Sequence, residues 1–163
     1  MSIFARIGTI RGESRDNRHK DEIEVLSWTW GVSRAGSPGS GGGGIGGAGR
    51  GAGKAEVRDL TFLHDVDRAS PLLLRACATG EHLGDARLTV RKAGGEQQDF
   101  LVITMTDVLV TRVSMSMADG GTSAEEVALT FAKVELEYRP QQADGSLEAG
   151  VRFTHDVKAQ RSG

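Results

Sequence analysis

The residues able to do chemistry are few, and their spacing decides what they can do. Gly44-Ile45-Gly46-Gly47-Ala48-Gly49 has the spacing of a dinucleotide-binding glycine loop, and Gly53-Lys54 has the ending of a P-loop. Such loops work by aiming backbone N–H groups at an anion from the start of a helix. Here position 48 is alanine where a P-loop needs glycine, and position 55 is alanine where it needs Ser or Thr. The following residues, Ala55 to Leu60, read as strand. His19, His64, His82 and His155 share no metal-ligand spacing, and each reads as a surface or strand residue. Cys77 lies close to Leu72, Leu73 and Leu74, the setting of an inert buried thiol rather than a nucleophile. Asp65 and Asp67 stand like paired catalytic carboxylates, yet they precede a predicted helix whose N-terminus favours acids. Arg15 to Glu24 mixes both signs of charge and reads as a solvated turn. No catalytic constellation emerges, and neither a cofactor nor a metal is expected.

What the pattern does specify is strands. Side chains two apart in a strand share a face, so Leu26, Trp28, Trp30 and Val32 form one apolar row. Ser27, Thr29, Gly31 and Ser33 occupy the opposite face. Paired tryptophans can stack bases or sugars, but these two continue an apolar row and are expected in the core. Leu88 and Val90, and later Val151, Phe153 and Val157, alternate with polar residues as half-buried antiparallel strands do. Gly94-Gly95 and Asp144-Gly145 read as hairpin turns between such runs. Ile23 and Val25 are out of phase with Leu26, Trp28 and Trp30. Val127, Leu129 and Phe131 are likewise out of phase with Val134, Leu136 and Tyr138. Phase changes in mid-strand mark bulges or bends, and two of them predict a closed or strongly bent barrel.

Gln98 to Met117 carries apolar residues at both parities, which predicts burial on both faces, with part of the cover from a second subunit. A helix is predicted over Ser70 to Thr79, with Ser70 as cap, Pro71 at the first helical position and Gly80 as stop. Gly36 to Gly53 is unlike the rest: 11 of its 18 residues are glycine. Ordering such a segment is costly, which predicts an arm without fixed form until a partner orders it. The fold class expected is therefore mainly β: a barrel of two packed antiparallel sheets, one short flanking helix and a long glycine-rich loop over residues 34–54.

Composition narrows the classes further. The 163 residues suit one domain, 1–163, with a real core. A net charge of −2, from 22 acidic and 20 basic residues, leaves no electrostatic footprint for nucleic acid or an anionic membrane. A single cysteine forbids an internal disulfide and suits folding in a reducing compartment. No apolar run approaches a membrane span, and MSIFARIGTIRGE has no signal-peptide core. Folding in the cytoplasm is expected, followed by any export without a cleavable signal.

The run GESRDNRHKDEIEVLSWTWG, from Gly12 to Gly31, closely resembles a signature of the Hcp (haemolysin-coregulated protein) family, which forms the inner tube of bacterial type VI secretion systems. DRASPLLLRACATGEHL, LTVRKAGGEQQDFLVITMTDVLVTRV and VELEYRPQQADGSL resemble further family blocks and follow in family order. The resemblance implies a barrel assembled as a homo-hexameric ring, with rings stacked into a tube inside a contractile sheath and fired with its spike. It implies that the loop over 34–54 reaches the next ring, with Arg34, Ser37, Pro38, Ile45, Arg50 and Lys54 as its contact residues. It implies also that small effector proteins travel in the lumen. Joined to the strand reading, this puts Ser27, Thr29, Gly31 and Ser33 on the lumen wall and Leu26, Trp28, Trp30 and Val32 in the core. The alternative is a monomeric β-barrel ligand-binding module with a glycine-rich lid. An enzyme is not expected, since the chain ends at Gly163, soon after the last strand.

Overall fold

The computed structural model describes residues 1–35, 54–94 and 97–163. Among the described residues ten strands and one helix follow in chain order: β1 (Ser2–Ile7), β2 (Ile23–Thr29), β3 (Val32–Arg34), β4 (Ala55–Val57), β5 (Leu60–His64), α1 (Ser70–Thr79), β6 (Asp85–Arg91), β7 (Asp99–Ser116), β8 (Ala124–Tyr138), β9 (Val151–Asp156) and β10 (Arg161–Ser162). All the ladders are antiparallel. Strands run in the order β8-β5-β2-β1-β6-β7, and β7 pairs back onto β8 to close a barrel. The two walls are thus halves of one continuous sheet. Beyond the junction, β9 and β10 extend the C-terminal half of β8, while β3 and β4 make a separate hairpin.

The barrel interior is filled rather than hollow. Ile7, Ile23, Leu60, Phe62, Leu88, Ile103, Met105 and Leu129 are all completely or almost completely buried in one cluster. Both predicted phase changes are present. In β2 the register shifts between Val25 and Ser27, leaving Leu26 as the extra residue of a bulge. In β8 the inward row passes from Val127, Leu129 and Phe131 to Val134.

The two-sided apolar pattern of Gln98 to Met117 has a different cause from the one expected. Asp107 adopts a left-handed φ of 56°, which a short polar side chain tolerates, and it bends β7 between Thr106 and Val108. A second shift falls between Val110 and Arg112. Ile103 and Met105 before the bend, and Val108 and Val110 after it, therefore all point inward and are buried. The strand is buried on one face that changes parity, not on two faces. Only its end, with Met115 and Met117, leaves large apolar side chains exposed.

Helix α1 spans the predicted residues and packs on β7 through Leu73 and Ala76, which are wholly buried. Gly80 ends it at a left-handed φ of 66°, its N–H bonded to the Ala76 carbonyl. Ser70 does not cap it. The Asp67 carboxylate already accepts the Ala69 N–H at 2.8 Å, so the Ser70 hydroxyl turns back to accept the Asp67 N–H at 3.1 Å. Asp144-Gly145 forms a turn with Gly145 at φ 89°, but inside a longer link between β8 and β9.

Candidate functional site

Strand register builds a flat polar face from small side chains. Ser27, Leu63, Glu126 and Ser114 lie side by side across β2, β5, β8 and β7. A second row holds Thr29, Thr61, Ala128 and Arg112. Between these rows Trp28, Phe62, Val127 and Val113 point the other way, into the core. Ser27 and Thr29 are exposed, as a face turned to water requires. The one ion pair on this surface runs diagonally from Arg112 to Glu126. Thr111 adds a hydroxyl that donates to Asp59 at 2.6 Å. The face can offer hydroxyls, methyl groups and one charge pair.

Gly31 and Ser33 continue this sequence but not this ladder, because β2 ends at Thr29 and Ser33 sits on the separate β3–β4 hairpin opposite Glu56. A methyl group added at Gly31 would meet nothing within 4 Å, so packing inside the chain does not demand glycine there.

The expected core row needs correction. Trp28 and Trp30 are half-buried and pack on the core; the Trp30 indole N–H donates to the Arg58 carbonyl at 2.9 Å, and its ring meets the edge of Phe131. Leu26 and Val32 are 56% and 45% exposed. The bulge throws Leu26 outward, and Val32 belongs to the hairpin that leaves the barrel wall. Of the loop residues, Arg34 and Lys54 are exposed beside the hairpin stem. Ser37, Pro38, Ile45 and Arg50 lie outside the described residues.

The charged run Arg15 to Glu24 is a solvated turn only in part: Arg15, Arg18, Lys20 and Glu24 are exposed, whereas Asp16 and Glu22 are half-buried and His19 is buried. It folds back on the barrel around Arg91, which is 2% exposed. Arg91 donates to Asp16 at 2.6 Å and to Asp99 at 3.3 Å, and lies over the Phe4 ring. The hydrogen bond from Arg91 holds the Asp16 carboxyl down at about 2. His19 stacks on Phe4 at 4.4 Å, with Glu22 at 2.7 Å from one ring nitrogen and Asp99 at 3.2 Å from the other. Gly12 makes this return possible: a Cβ there would strike the Glu22 carbonyl oxygen at 2.5 Å.

The other histidines are mostly inside as well. His64 is buried against Glu125, and His155 against Ser162 at 2.6 Å; His82 is exposed and paired with Asp107 at 2.7 Å. His155 and Ser162 resemble part of a hydrolytic triad, but the second His155 nitrogen has no partner to orient it. A cleft of about 470 Å³ lies over β7–β10, lined by Thr104, Thr106, Lys133, Thr154 and Arg161 among others. Among the described residues no group of His, Cys, Asp and Glu could hold a metal, and no helix is long and apolar enough to cross a membrane. Cys77 is half-buried on α1.

A closed antiparallel barrel with one docked helix and a separate β3–β4 hairpin defines a mainly β barrel protein. The family model described as "Type VI secretion system effector, Hcp" matches residues 4–138. The protein hcp1 of Pseudomonas aeruginosa is 45% identical over 161 residues, which is 97% of this chain and 96% of that one. The crystal structure of Hcp1 from Salmonella typhimurium has a TM-score of 0.79 at 38% identity, covering 99% of this chain and 98% of its own. A structure described as a type six secretion system protein reaches 0.90 at 25% identity, covering 99% of both. This chain belongs to the Hcp family of type VI secretion proteins.

Proposed function

We propose that this chain is the structural subunit of a type VI secretion inner tube. All 163 residues act as one subunit; six copies close into a ring, rings stack, and the stack sits within a sheath behind a spike. The observation that carries the reading is the four-stranded wall in which Ser27, Thr29, Thr61 and Ser114 lie among Leu63, Ala128 and the Arg112–Glu126 pair. Small hydroxylated side chains make a wall that stays wet and offers weak, tolerant contacts to many surfaces. That suits a lumen through which small effector proteins pass. Gly31, which the chain's own packing leaves free to be larger, fits a channel kept wide.

The glycine-rich loop, leaving through the β3–β4 stem, supplies the contact with the next ring. The protein folds in the cytoplasm and leaves with the tube. Its role is mechanical rather than catalytic. A ligand barrel under a glycine lid finds less support, since Ile23, Phe62, Leu88, Ile103 and Met105 fill the interior. Light scattering of the purified chain, with electron micrographs of the same peak, tests the reading. Six-fold rings are expected; a monomer at all concentrations overturns it.

A further inference from the structure

The polar wall contains a cleft that is more selective than the surface around it. It has a volume of about 180 Å³ and is lined by Ser27 and Thr29 of β2, Thr61 and Leu63 of β5 and Glu126 of β8. It opens where the β2–β5 ladder resumes after the bulge at Leu26. Pockets for whole small molecules run from about 300 Å³ upward, so this one suits a single long side chain. In the two outward rows of the wall, from Ser27 across to Ser114 and from Thr29 across to Arg112, the charged residues are Glu126 and Arg112.

These two side chains form an ion pair, Arg112 Nη2 to Glu126 Oε1, and they are 57% and 44% exposed. A pair so open to water contributes little net stability, so another cation can join or displace Arg112 at small cost. A carboxylate accepts at two oxygens, and Arg112 occupies one of them. The surroundings favour positive charge further. Glu24, three residues before Ser27, and Asp65, two after Leu63, are exposed, and both line an adjoining cleft of about 190 Å³ with Glu13 and Leu26. Strand spacing puts them about 10 Å or less along the chain from the smaller cleft, comparable to the screening length at physiological salt.

A lysine or arginine side chain finds a partner here for each of its parts. Glu126 takes the charged head, the hydroxyl oxygens of Ser27, Thr29 and Thr61 accept its remaining N–H groups, and half-buried Leu63 covers the aliphatic stem. An acidic side chain would meet Glu126 as a like charge, and the one cation in reach is already engaged. We propose that Glu126 makes this cleft a subsite for a lysine or arginine on the surface of a cargo protein, with Arg112 as the internal cation that the incoming side chain displaces. The inference rests on reading this face as the lumen wall of a six-fold ring. Six copies then present six weak subsites, and a cargo with basic patches is held by several at once. Because every exchange is cheap, no single contact anchors the cargo against passage.

The test is binding of a short fluorescein-labelled oligolysine peptide to the full chain, followed by anisotropy at low and at physiological salt, beside an oligoglutamate of equal length. Oligolysine is expected to bind, more weakly as salt rises. Glu126→Gln is expected to weaken it several-fold, and Arg112→Gln, which frees Glu126, to tighten it several-fold. A pair that only maintained the wall would move both variants the same way. Arg87→Gln makes the same change of charge as Arg112→Gln at an exposed position on β6, and is expected to leave binding unchanged. No binding at low salt, binding untouched by Glu126→Gln, weakening by Arg112→Gln, equal tightening by Arg87→Gln, or a preference for oligoglutamate each overturns the subsite. Light scattering of the same samples separates this inference from the reading beneath it. Six-fold rings that ignore oligolysine remove the subsite and leave the tube; a monomer that binds it through Glu126 removes the tube and leaves the subsite.

Discussion

Trp28 and Thr29 are neighbours in the chain and face opposite ways, so substitutions at the two report different properties. Trp28 packs beside Phe62 and Val127 on the inner side of β2. Trp28→Ala is expected to cost about 3 kcal/mol of stability, the low end for a large aromatic because this ring is only half-buried. Denaturant unfolding would show it, and a loss below about 0.5 kcal/mol would mean the ring is not part of the core. Thr29 is exposed in the polar wall, where nothing in the fold depends on its size. Thr29→Gln is expected to leave rings intact while reducing effector retention, measured by co-purification; ring loss, or unchanged retention, would remove this wall from the lumen. The alternation of the two faces was legible from Ser27 to Trp30 alone. The buried polar residues were not read, although a signal existed for one pair: His64 shares the parity of Leu60 and Phe62, and Glu125 that of Val127 and Leu129. Arg91 gave none, because it keeps the outward parity of Arg87 and Thr89 and is buried by the Gly12–Glu22 segment that folds over it.

At the scale of elements, the bends in β2, β7 and β8 explain both the success and the failure of periodicity. In β2 the bulge at Leu26 was visible as a phase change because apolar residues flank it closely. In β7 two shifts lie so near each other that the apolar residues occupy both parities, and the run read as a strand covered on two sides. The backbone angle of Asp107, which separates these readings, leaves no mark in an apolar pattern. The helix was legible to the residue because Pro71 and Gly80 bracket it, while its cap was not, since the N-cap residue is Ala69 and no side chain caps the first turn. The strands that flank the glycine tract in sequence, β3 and β4, pair with each other and not with the barrel ladders. Replacing residues 36–53 by a short turn is therefore expected to spare six-fold rings and abolish tubes in electron micrographs. Normal tubes from that variant would refute a stacking role for the tract.

For the whole molecule, the mainly β barrel and its flanking helix were legible from alternation, phase and turn residues, because each is a local pattern. Closure was not local: it depends on β7 meeting β8, a pairing that composition and spacing do not name. The return of the Gly12–Glu22 segment onto Arg91 is also long-range, and it buries Ser14, His19 and Arg91 while Arg15, Arg18 and Lys20 stay exposed.

That closure has a mechanical consequence. Every strand of the six-membered circuit is bonded along both edges, and β7 and β8 are stitched from the Leu101–Tyr138 pair to the Ser116–Ala124 pair. A hoop of this kind has no loose end within it. Force on any one staple must shear two seams at once, whereas the short β9–β10 flap can unzip bond by bond without opening the hoop. Damage under load would therefore begin at the flap and leave the six-stranded circuit closed.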